Sequence, residues 1–340
     1  KTKITNCYAA GFTNDKNGDG VAESVWYSVA GDVPLPKERM QGIDALVGVQ
    51  KMPAINTNNE YIATEGYPIL KAFSGDEYDD MVEISKVDIW DGSVAETLSG
   101  EGTKASPYLI TNGSELAYAI ISGGADKLYK LTKDIYLNDI NKINWKTGEV
   151  QPGYTPNSWF ENIPFKGAID GGGHIVYGLY YKTPEANSDW GYYGAGLVPT
   201  VNAGETLIIT ALGIENAFIS GVNGASAFVG FAGQKEAQSR ANVFVDKCFA
   251  GGNVTLIGHD VGALRGGTYN AKTTITNSYS LATLKGTSTN GLLGNLWDAT
   301  VVAENCFNSN GAITTDTYLW PDVAENFKNV YDTRSDSTAL

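Results

Sequence analysis

The stretch Ile275-Thr276-Asn277-Ser278-Tyr279 belongs to a pattern that recurs along the chain: an apolar residue, any residue, usually Asn, a small residue, then Phe or Tyr. The other copies are Ile214-Glu215-Asn216-Ala217-Phe218, Val245-Asp246-Lys247-Cys248-Phe249, Ala303-Glu304-Asn305-Cys306-Phe307, a looser Phe327-Lys328-Asn329-Val330-Tyr331, and Ile4-Thr5-Asn6-Cys7-Tyr8. In the C-terminal half the aromatic residues are 31, 30, 28 and 24 residues apart. Such a period is typical of solenoid proteins.

A second marker lies between these copies. It reads Gly262-Ala263-Leu264 and Gly291-Leu292-Leu293, with Ser226-Ala227-Phe228 as a weaker match. The intervening residues are rich in Val, Ile, Thr, Phe and Tyr in short alternating runs, and no stretch there has helical periodicity. Runs such as 243–245, 273–276 and 299–302 therefore predict strands. One repeat would form one coil of a parallel β-helix, whose edges only the neighbouring coils can pair.

The repeated positions predict columns of side chains along such a helix. The small residue would stack in one interior column and the aromatic residue in an adjacent one. The Asn suits a bend, because it tolerates the left-handed region and its side chain can bond local backbone. Cys7, Cys248 and Cys306 occupy the small-residue position, so we interpret the cysteines as buried apolar residues.

Composition limits the function. The 340 residues include 24 basic and 38 acidic side chains, a net charge of −14 that disfavours nucleic acid. No apolar run is long enough for a membrane span, and no signal peptide opens the chain at Lys1. The acidic, cysteine-poor, Asn/Thr/Tyr-rich composition predicts an extracellular bacterial protein, on the cell surface or secreted.

Residues 90–215 are less regular. The run 114–121 predicts a short helix with Ser114 as its N-cap, 129–137 predicts a strand, and 165–179 predicts strand, tight turn and strand. The markers in this region, in chain order, are Trp90-Asp91-Gly92-Ser93, Gly100-x-Gly102-Thr103, Pro107-Tyr108-x-Ile110, Leu131-x-x-Asp134-Ile135 and Ile169-Asp170-Gly-Gly-Gly-His174-x-Val176-x-Gly178-Leu179.

This ordered series resembles the bacterial surface proteins that carry the GLUG motif. The resemblance covers about residues 90–340 and implies a right-handed β-helix of the pectin-lyase-like kind, with one or two short helices at module ends. Residues 1–73 look like the closing coil and cap segment of such a module. That segment contains a predicted helix over 37–46.

The resemblance therefore predicts residues 1–73 as the end of one module, 74–89 as a linker, and 90–340 as a second module without its closing segment. Two explanations stay open. The chain is an excerpt of a longer tandem array, whose neighbouring modules are its partners. Alternatively, the closing piece of one molecule completes the open end of another. We favour the excerpt.

A calcium loop is predicted near the N-terminus. Asp15, Asn17 and Asp19 supply oxygen atoms at alternate positions, as in an EF-hand loop, and Glu23 suits the ninth position. The twelfth position is Trp26, where a bidentate carboxylate belongs. The alternative is an Asx-rich turn without Ca²⁺.

Aromatic residues predict a carbohydrate site. Trp159, Trp190, Tyr192 and Tyr193 lie in stretches that look like loops, where exposed rings stack on the apolar faces of sugars. The alternative is that these rings cap the core. The sequence alone does not decide between exposed rings that bind a sugar and rings that cap the core.

The sequence supports catalysis less well than binding. The candidates in the regular coils are the bases Lys247, Arg265, Lys272 and Lys285 with the acids Asp246 and Asp260, and they form no tight Asp-x-Asp cluster. Two histidines, His174 and His259, and the absence of the motifs H-E-x-x-H and G-x-S-x-G argue against His-based catalysis.

The sequence thus predicts an all-β, non-catalytic surface module: an adhesin, a stalk or a glycan-binding β-solenoid. Its predicted partner is a polysaccharide or a host or bacterial surface protein. The alternatives are a polysaccharide lyase or hydrolase of the pectin-lyase-like fold, and a self-assembling filament subunit.

Overall fold

The computed structural model describes residues 32–34, 46, 55, 60–63, 67–73, 87–183, 194–289, 291–295, 297–309 and 327–332. These residues form one α-helix, α1 (Gly113–Ile121), one 3₁₀ turn (Lys71–Phe73) and many strands. The strands in chain order are β1 (Asp32–Pro34), β2 (Tyr61–Ile62), β3 (Ile69–Leu70), β4 (Tyr108–Ile110), β5 (Leu128–Leu131), β6 (Ile135–Tyr136), β7 (Ile143–Asn144), β8 (Glu149–Val150), β9 (Gly167–Tyr177), β10 (Tyr180–Lys182), β11 (Gly194–Ala195), β12 (Val198–Val201), β13 (Thr206–Glu215), β14 (Ala217–Ala225), β15 (Val229–Gly233), β16 (Ala241–Asp246), β17 (Phe249–Ala250), β18 (Val254–Val261), β19 (Arg265–Tyr269), β20 (Ala271–Thr276), β21 (Tyr279–Ser280), β22 (Thr283–Thr289), β23 (Thr300–Asn308) and β24 (Phe327–Asp332).

Three parallel sheets make up the body. The first sheet has the order β4-β5-β9-β13-β16-β20-β23-β24-β1, with the short strands β6, β17 and β21 continuing its rows. The second sheet is β10-β14-β18-β22 with β11 beside β14, and the third is β12-β15-β19. Two small antiparallel pairs, β2-β3 and β7-β8, lie outside these sheets. The predicted all-β class with parallel strands is confirmed.

The chain visits the sheets in a fixed order. It passes from β13 in the first sheet to β14 in the second, to β15 in the third, and back to the first sheet at β16. The same order follows through β18, β19 and β20. Each circuit therefore places a repeat directly against its predecessor.

The strand pairing confirms four copies of the repeat and shifts one. Phe249 pairs with Tyr279, Tyr279 with Phe307, and Phe307 with Tyr331. The copy predicted at 214–218 is out of register, because Phe249 pairs with Gly213 instead. The sequence match there falls at the next bend along the chain, which also carries an Asn. The copy at 4–8 lies outside the described residues.

The bend position of each repeat has a left-handed backbone. Its φ angle is +55° at Lys247, +46° at Asn277 and +55° at Asn305, which confirms the predicted role of this position. The side chains form a ladder, because Asn305 Nδ2 donates to Asn277 Oδ1 (3.2 Å) and Asn277 Nδ2 donates to Asp246 Oδ1 (2.8 Å). The Asn is thus used both for its backbone and for its amide.

The small residue forms the predicted interior column, but the prediction of an adjacent interior column for the aromatic residue is wrong, because the two columns lie on opposite faces of the first sheet. Cys248 and Cys306 belong to the main core, and Ser278 between them is also fully buried. The next residue in each repeat points the other way, since side chains alternate along a strand. These residues, Phe249, Tyr279 and Phe307, form what we call the aromatic row. Neighbouring rings in it are nearly parallel at 5.2 and 4.8 Å.

The aromatic row is covered by the chain's own N-terminal part. We call residues 55, 60–63 and 67–73 the strap. Four of its side chains are buried with the row in a cluster separate from the main core: Ile55, Tyr61, Leu70 and Phe73. The strap explains why an aromatic row on the outer face of a sheet is buried.

The two ends of the chain meet in the first sheet. Strand β1 pairs in parallel with β24, so that Asp32 faces Val330 and Pro34 faces Asp332. The segment that resembles a closing coil therefore adds to β24 of its own chain. The boundaries predicted at residues 74 and 89 stay a prediction, and the helix predicted at 37–46 lies, except for Leu46, outside the described residues.

Helix α1 lies near the other end of the first sheet, where it packs beside β4. Its N-cap is Asn112, whose Oδ1 accepts the Glu115 N–H at 2.9 Å, so the prediction of Ser114 is wrong. Glu115 Oε2 in turn accepts the N–H of Thr111 (2.6 Å). This reciprocal arrangement moves the start of the helix two residues upstream of the predicted N-cap.

Two further predictions of local structure need correction. Residues 165–179 do not form a hairpin, because the glycines bend a single strand, β9, without reversing it. Gly172 and Gly173 have φ of +63° and +82°, and both halves of β9 pair in parallel with β13. The strand predicted over 129–137 is interrupted at 132–134, where Asp134 Oδ1 accepts the N–H of Ile175 (2.9 Å).

A half-buried carboxyl group lies at the bend that follows β13. Glu215 Oε1 accepts the N–H of Asn253 (3.0 Å), and its carboxyl group rests over Gly251, where a Cβ atom would overlap it. Burial raises the pKa of Glu215 to about 7, although hydrogen bonds from Asn253 and Asn216 act in the opposite direction. The protein therefore holds a partly desolvated carboxyl group whose pKa is raised to about 7.

Replacing Asn277 by Val should destabilise the protein by about 2–4 kcal/mol, because a β-branched residue is strained at positive φ and the ladder bonds are lost. Asn277→Gly keeps the backbone conformation and should cost only about 1 kcal/mol. Urea unfolding measures both variants. Equal losses for Val and Gly would show that the left-handed backbone contributes nothing.

Stability should fall as pH rises through the range set by Glu215. Its pKa is higher in the folded protein than in the unfolded chain, so the folded state binds more protons between about pH 4.5 and 7. Glu215→Gln should remove this contribution. The free energy of unfolding of the variant, relative to that of wild type, should therefore be higher at pH 8 than at pH 5. Chemical unfolding at both pH values tests it, with Glu101→Gln on the surface as the control. An identical gain in the control would contradict the assignment.

Candidate functional site

The second and third sheets approach each other closely at their shared bend, where glycines replace side chains. A Cβ atom at Gly224 in the second sheet would overlap the carbonyl oxygen of Gly230 in the third, and one at Gly266 in the third sheet would lie 2.9 Å from the backbone nitrogen of Ala225 in the second. The residues between β14 and β15 are the weaker copy of the second marker, Ser226-Ala227-Phe228. They bond in register to Gly262-Ala263-Leu264 of the next circuit. The second marker is therefore the signature of this sharp bend.

A groove opens on the outside of this bend. In β18 the position that pairs with Gly224 is occupied by Asp260, and we call the cavity around it the Asp260 groove. Its volume is about 340 Å³, within the range of small-ligand sites. Its lining residues are Asn223, Phe231, Lys235, His259, Asp260, Thr268, Tyr269, Asn295 and Trp297.

Asp260 is held at the base of the groove by polar neighbours. Its side chain is 9% exposed, and its Oδ1 lies 2.8 Å from Nδ1 of His259, which is 33% exposed. Burial raises the pKa of Asp260, whereas the bond with His259, the Asn295 side chain and the positive charge of Arg265 oppose that rise. The carboxyl group is thus positioned, largely desolvated and still reachable from the groove.

Arg265 supports this cluster from within the protein. It is fully buried, and its Nη1 donates to the carbonyl oxygens of Gly266 (3.0 Å) and Asn295 (3.2 Å). Asn295 lines the groove, so these bonds connect the buried guanidinium to the groove wall. Burial of a charged group is costly unless polar partners surround it. The polar groups around Arg265 are therefore needed to keep it in the interior of this circuit.

Two aromatic rings form the outer wall of the groove. Tyr269 and Trp297 occupy paired positions in successive circuits, and their rings are nearly parallel at 6.2 Å and 8°. Trp297 is 42% exposed, which is unusual for so large an apolar side chain. The groove therefore combines a flat aromatic surface with amide, imidazole, ammonium and carboxyl groups.

The aromatic residues predicted from the sequence lie elsewhere. Trp159 is 3% exposed, packs edge-on against Trp90 and donates from Nε1 to the Leu197 carbonyl oxygen (3.0 Å). Its ring is therefore covered, as in the core-capping interpretation, and it offers no face to a sugar. Trp190, Tyr192 and Tyr193 lie outside the described residues, as do Asp15, Asn17, Asp19 and Glu23 of the calcium loop.

The acids and bases considered for catalysis are mostly dispersed. Lys247 forms an ion pair with Glu60 of the strap (3.0 Å), and Asp246 accepts the bonds of the Asn ladder. Both have structural roles away from the groove. The structure brings Arg265 to Asp260 and His259, which are neighbours in the sequence and alone predict only a surface turn.

Two signals in the sequence point to this groove in retrospect. Asp260 and Arg265 flank the marker Gly262-Ala263-Leu264, and residues on either side of a sharp bend lie close together. Tyr269 and Trp297 are 28 residues apart, which matches the repeat. The repeat therefore aligns not only the Phe and Tyr column but also this second aromatic pair.

Comparison with known proteins adds little to this description. No protein-family model and no curated protein matches the chain. A solved structure, the "putative immunoglobulin A1 protease from Bacteroides ovatus", is similar at 16% sequence identity, over 69% of this chain and 86% of that one, with a TM-score of 0.32. Among the described residues, no helix is long and apolar enough to cross a membrane.

Gly267→Ala should lower the free energy of unfolding of the protein by about 1–3 kcal/mol, because the added Cβ would lie 2.5 Å from the Phe231 ring and 3.2 Å from Asp260 Oδ2. Gly252→Ala is the matched control, since nothing lies within 4 Å of a Cβ there. Thermal unfolding of the two variants gives the comparison. If both alanines cost the same, the space beside Asp260 is not as tight as the structure indicates.

Proposed function

We propose that this protein is a non-catalytic extracellular bacterial module that binds a glycan in the Asp260 groove. The observation that carries the proposal is the stacked pair Tyr269 and Trp297 facing the polar cluster around Asp260. A sugar ring presents an apolar face to an aromatic side chain and hydroxyl groups to amides and carboxylates. The groove offers both kinds of surface at once.

The proposed architecture is a right-handed parallel β-helix, as the resemblance to GLUG-motif surface proteins implies. The fixed order in which the chain visits three parallel sheets supports a solenoid. Crossover connections between parallel strands of one sheet are right-handed in the great majority of proteins, which supports the hand. A stiff solenoid suits a binding module that is displayed away from a cell.

Polar groups in the groove suit a neutral or weakly charged saccharide. The positive charge of Lys235 balances Asp260, so the lining lacks the strong acidity of the chain as a whole, which has a net charge of −14. Hydroxyl groups can pair with both donors and acceptors in such a lining. Proposed partners are therefore polysaccharides or the glycans of surface proteins.

A polysaccharide lyase or hydrolase is the second candidate, and the His259–Asp260 pair beside Arg265 is the observation that favours it. A glycosidase uses two carboxyl groups across the scissile bond. Among the described lining residues Asp260 is the only carboxylate. The groove thus meets the requirements of binding more fully than those of hydrolysis.

Catalysis can be separated from binding by incubating the protein with each retained polymer. A hydrolase would release reducing ends, a lyase would also raise absorbance near 230 nm, and Asp260→Asn would abolish either signal. A binding module releases neither product at any enzyme concentration. Turnover that is lost in Asp260→Asn would replace our proposal with the enzymatic one.

Affinity electrophoresis through plant, microbial and mucin polysaccharides tests the proposed binding. We expect one polymer or more to retard the wild-type protein, and Trp297→Ala to weaken that binding at least about tenfold, a loss of about 1.4 kcal/mol. Phe244→Ala removes an aromatic residue of similar exposure from the first sheet and should leave retardation unchanged.

The same gels, run with calcium and with chelator, test the predicted loop at Asp15, Asn17, Asp19 and Glu23. Loss of retardation in chelator would support a contribution of Ca²⁺ to binding.

Retardation that survives Trp297→Ala would remove the groove as the binding site. Free migration of the wild-type protein in every polymer would count against glycan binding altogether.

A further inference from the structure

The strap contacts the body through side chains and backbone on the outer face of the first sheet. Tyr61 donates its hydroxyl hydrogen to the Asn305 carbonyl oxygen (2.9 Å), and its ring lies 6.0 Å from that of Phe307. Phe73 packs edge-on against Phe249 at 4.8 Å. Tyr67 stacks on Phe307 at 6.0 Å and 18°. The strap thus spans the whole aromatic row.

Charge and backbone contacts fix the position of the strap. Glu60 pairs with Lys247 (3.0 Å), the one left-handed bend position of the three that is not Asn. The carbonyl oxygen of Ala72 lies so close to Gly173 that a Cβ there would overlap it. Lys247 in place of the repeated Asn and the absence of a side chain at Gly173 therefore both match the position of the strap.

The connection between strap and body is long for the distance that it covers. Ala72 lies against Gly173 in β9, and Ile89 pairs with Tyr136 beside the end of β9. Two strand spacings and four residues along a strand separate these points, a distance of about 16 Å. Seventeen residue steps can extend over about 56 Å. The chain between them is therefore long enough to reach an adjacent molecule.

We propose that the strap also docks on a second copy of this chain, so that the aromatic row is an interface between molecules. Every contact of the strap described above is with the body, and each would form unchanged if the strap came from a neighbour. Docking of the strap on its own chain competes with docking on a neighbouring chain. The connection gives the strap an effective concentration in the millimolar range near its own chain, and this concentration decreases as the connection lengthens. Copies crowded side by side reach that range. The proposal is independent of the Asp260 groove.

Deletion of residues 74–86 tests this exchange in the otherwise complete chain. Four residue steps would remain between Ala72 and Ile89, at most about 14 Å, which is too short for docking within one molecule. We expect a dimer or larger assembly at micromolar concentration by sedimentation. Replacing the same thirteen residues with Gly and Ser keeps the length and should give a monomer. A folded deletion variant that stays monomeric would overturn the proposal.

Cross-linking keeps the test decisive if the deletion prevents folding. Chains with Glu60→Cys are mixed near 1 mM with chains carrying Lys247→Cys, both in a Cys7→Ser background, and treated with a short bis-maleimide. Cys248 and Cys306 should stay unmodified, because burial raises the pKa of both thiols, that of Cys306 to about 12. A 60–247 link between chains is expected in the mixture. Its absence from the mixture would overturn the exchange.

Discussion

Register between successive parallel strands is the constraint on which the other features of this protein depend. A strand inside a parallel stack has its backbone satisfied only if the next circuit returns to the same height. The chain meets this requirement with a bend at positive φ in each repeat, at Lys247, Asn277 and Asn305. The amide ladder that joins Asn305, Asn277 and Asp246 then holds adjacent circuits in line.

The sharp bend between the second and third sheets has the opposite effect on packing. Glycines such as Gly224 and Gly266 allow the two backbones to meet, and the Asp260 groove lies beside this contact. Where Asp260 replaces the glycine of the previous circuit, the groove gains a carboxyl group, and the opposite Gly267 leaves room for it. The Asp260 groove thus arises from the regular fold by a change at a few positions.

The outward aromatic row creates a different requirement. Three large rings on one sheet face would form an exposed apolar patch, which soluble proteins rarely leave uncovered. The strap covers them, and β1 extends the same sheet beyond β24. Segments at opposite ends of the sequence therefore lie at one end of the fold. The order of motifs alone left open a tandem array or exchange between molecules. In the structure the N-terminal segment contacts the body of its own chain, and the same contacts are the ones that exchange would use.

The sequence by itself determined the repeat, the parallel strands, the left-handed Asn position and the burial of Cys248 and Cys306, because each depends on local spacing and on side-chain alternation. It misplaced the copy at 214–218 and the N-cap of α1, where two similar local patterns compete. Only the tertiary structure decided that the aromatic row faces the strap and that Trp159 is covered. It also brought Asp260, Arg265 and Trp297 to one groove. Those contacts join different circuits and different sheets, and their geometry depends on how sharply each bend turns, which backbone packing sets and residue spacing does not.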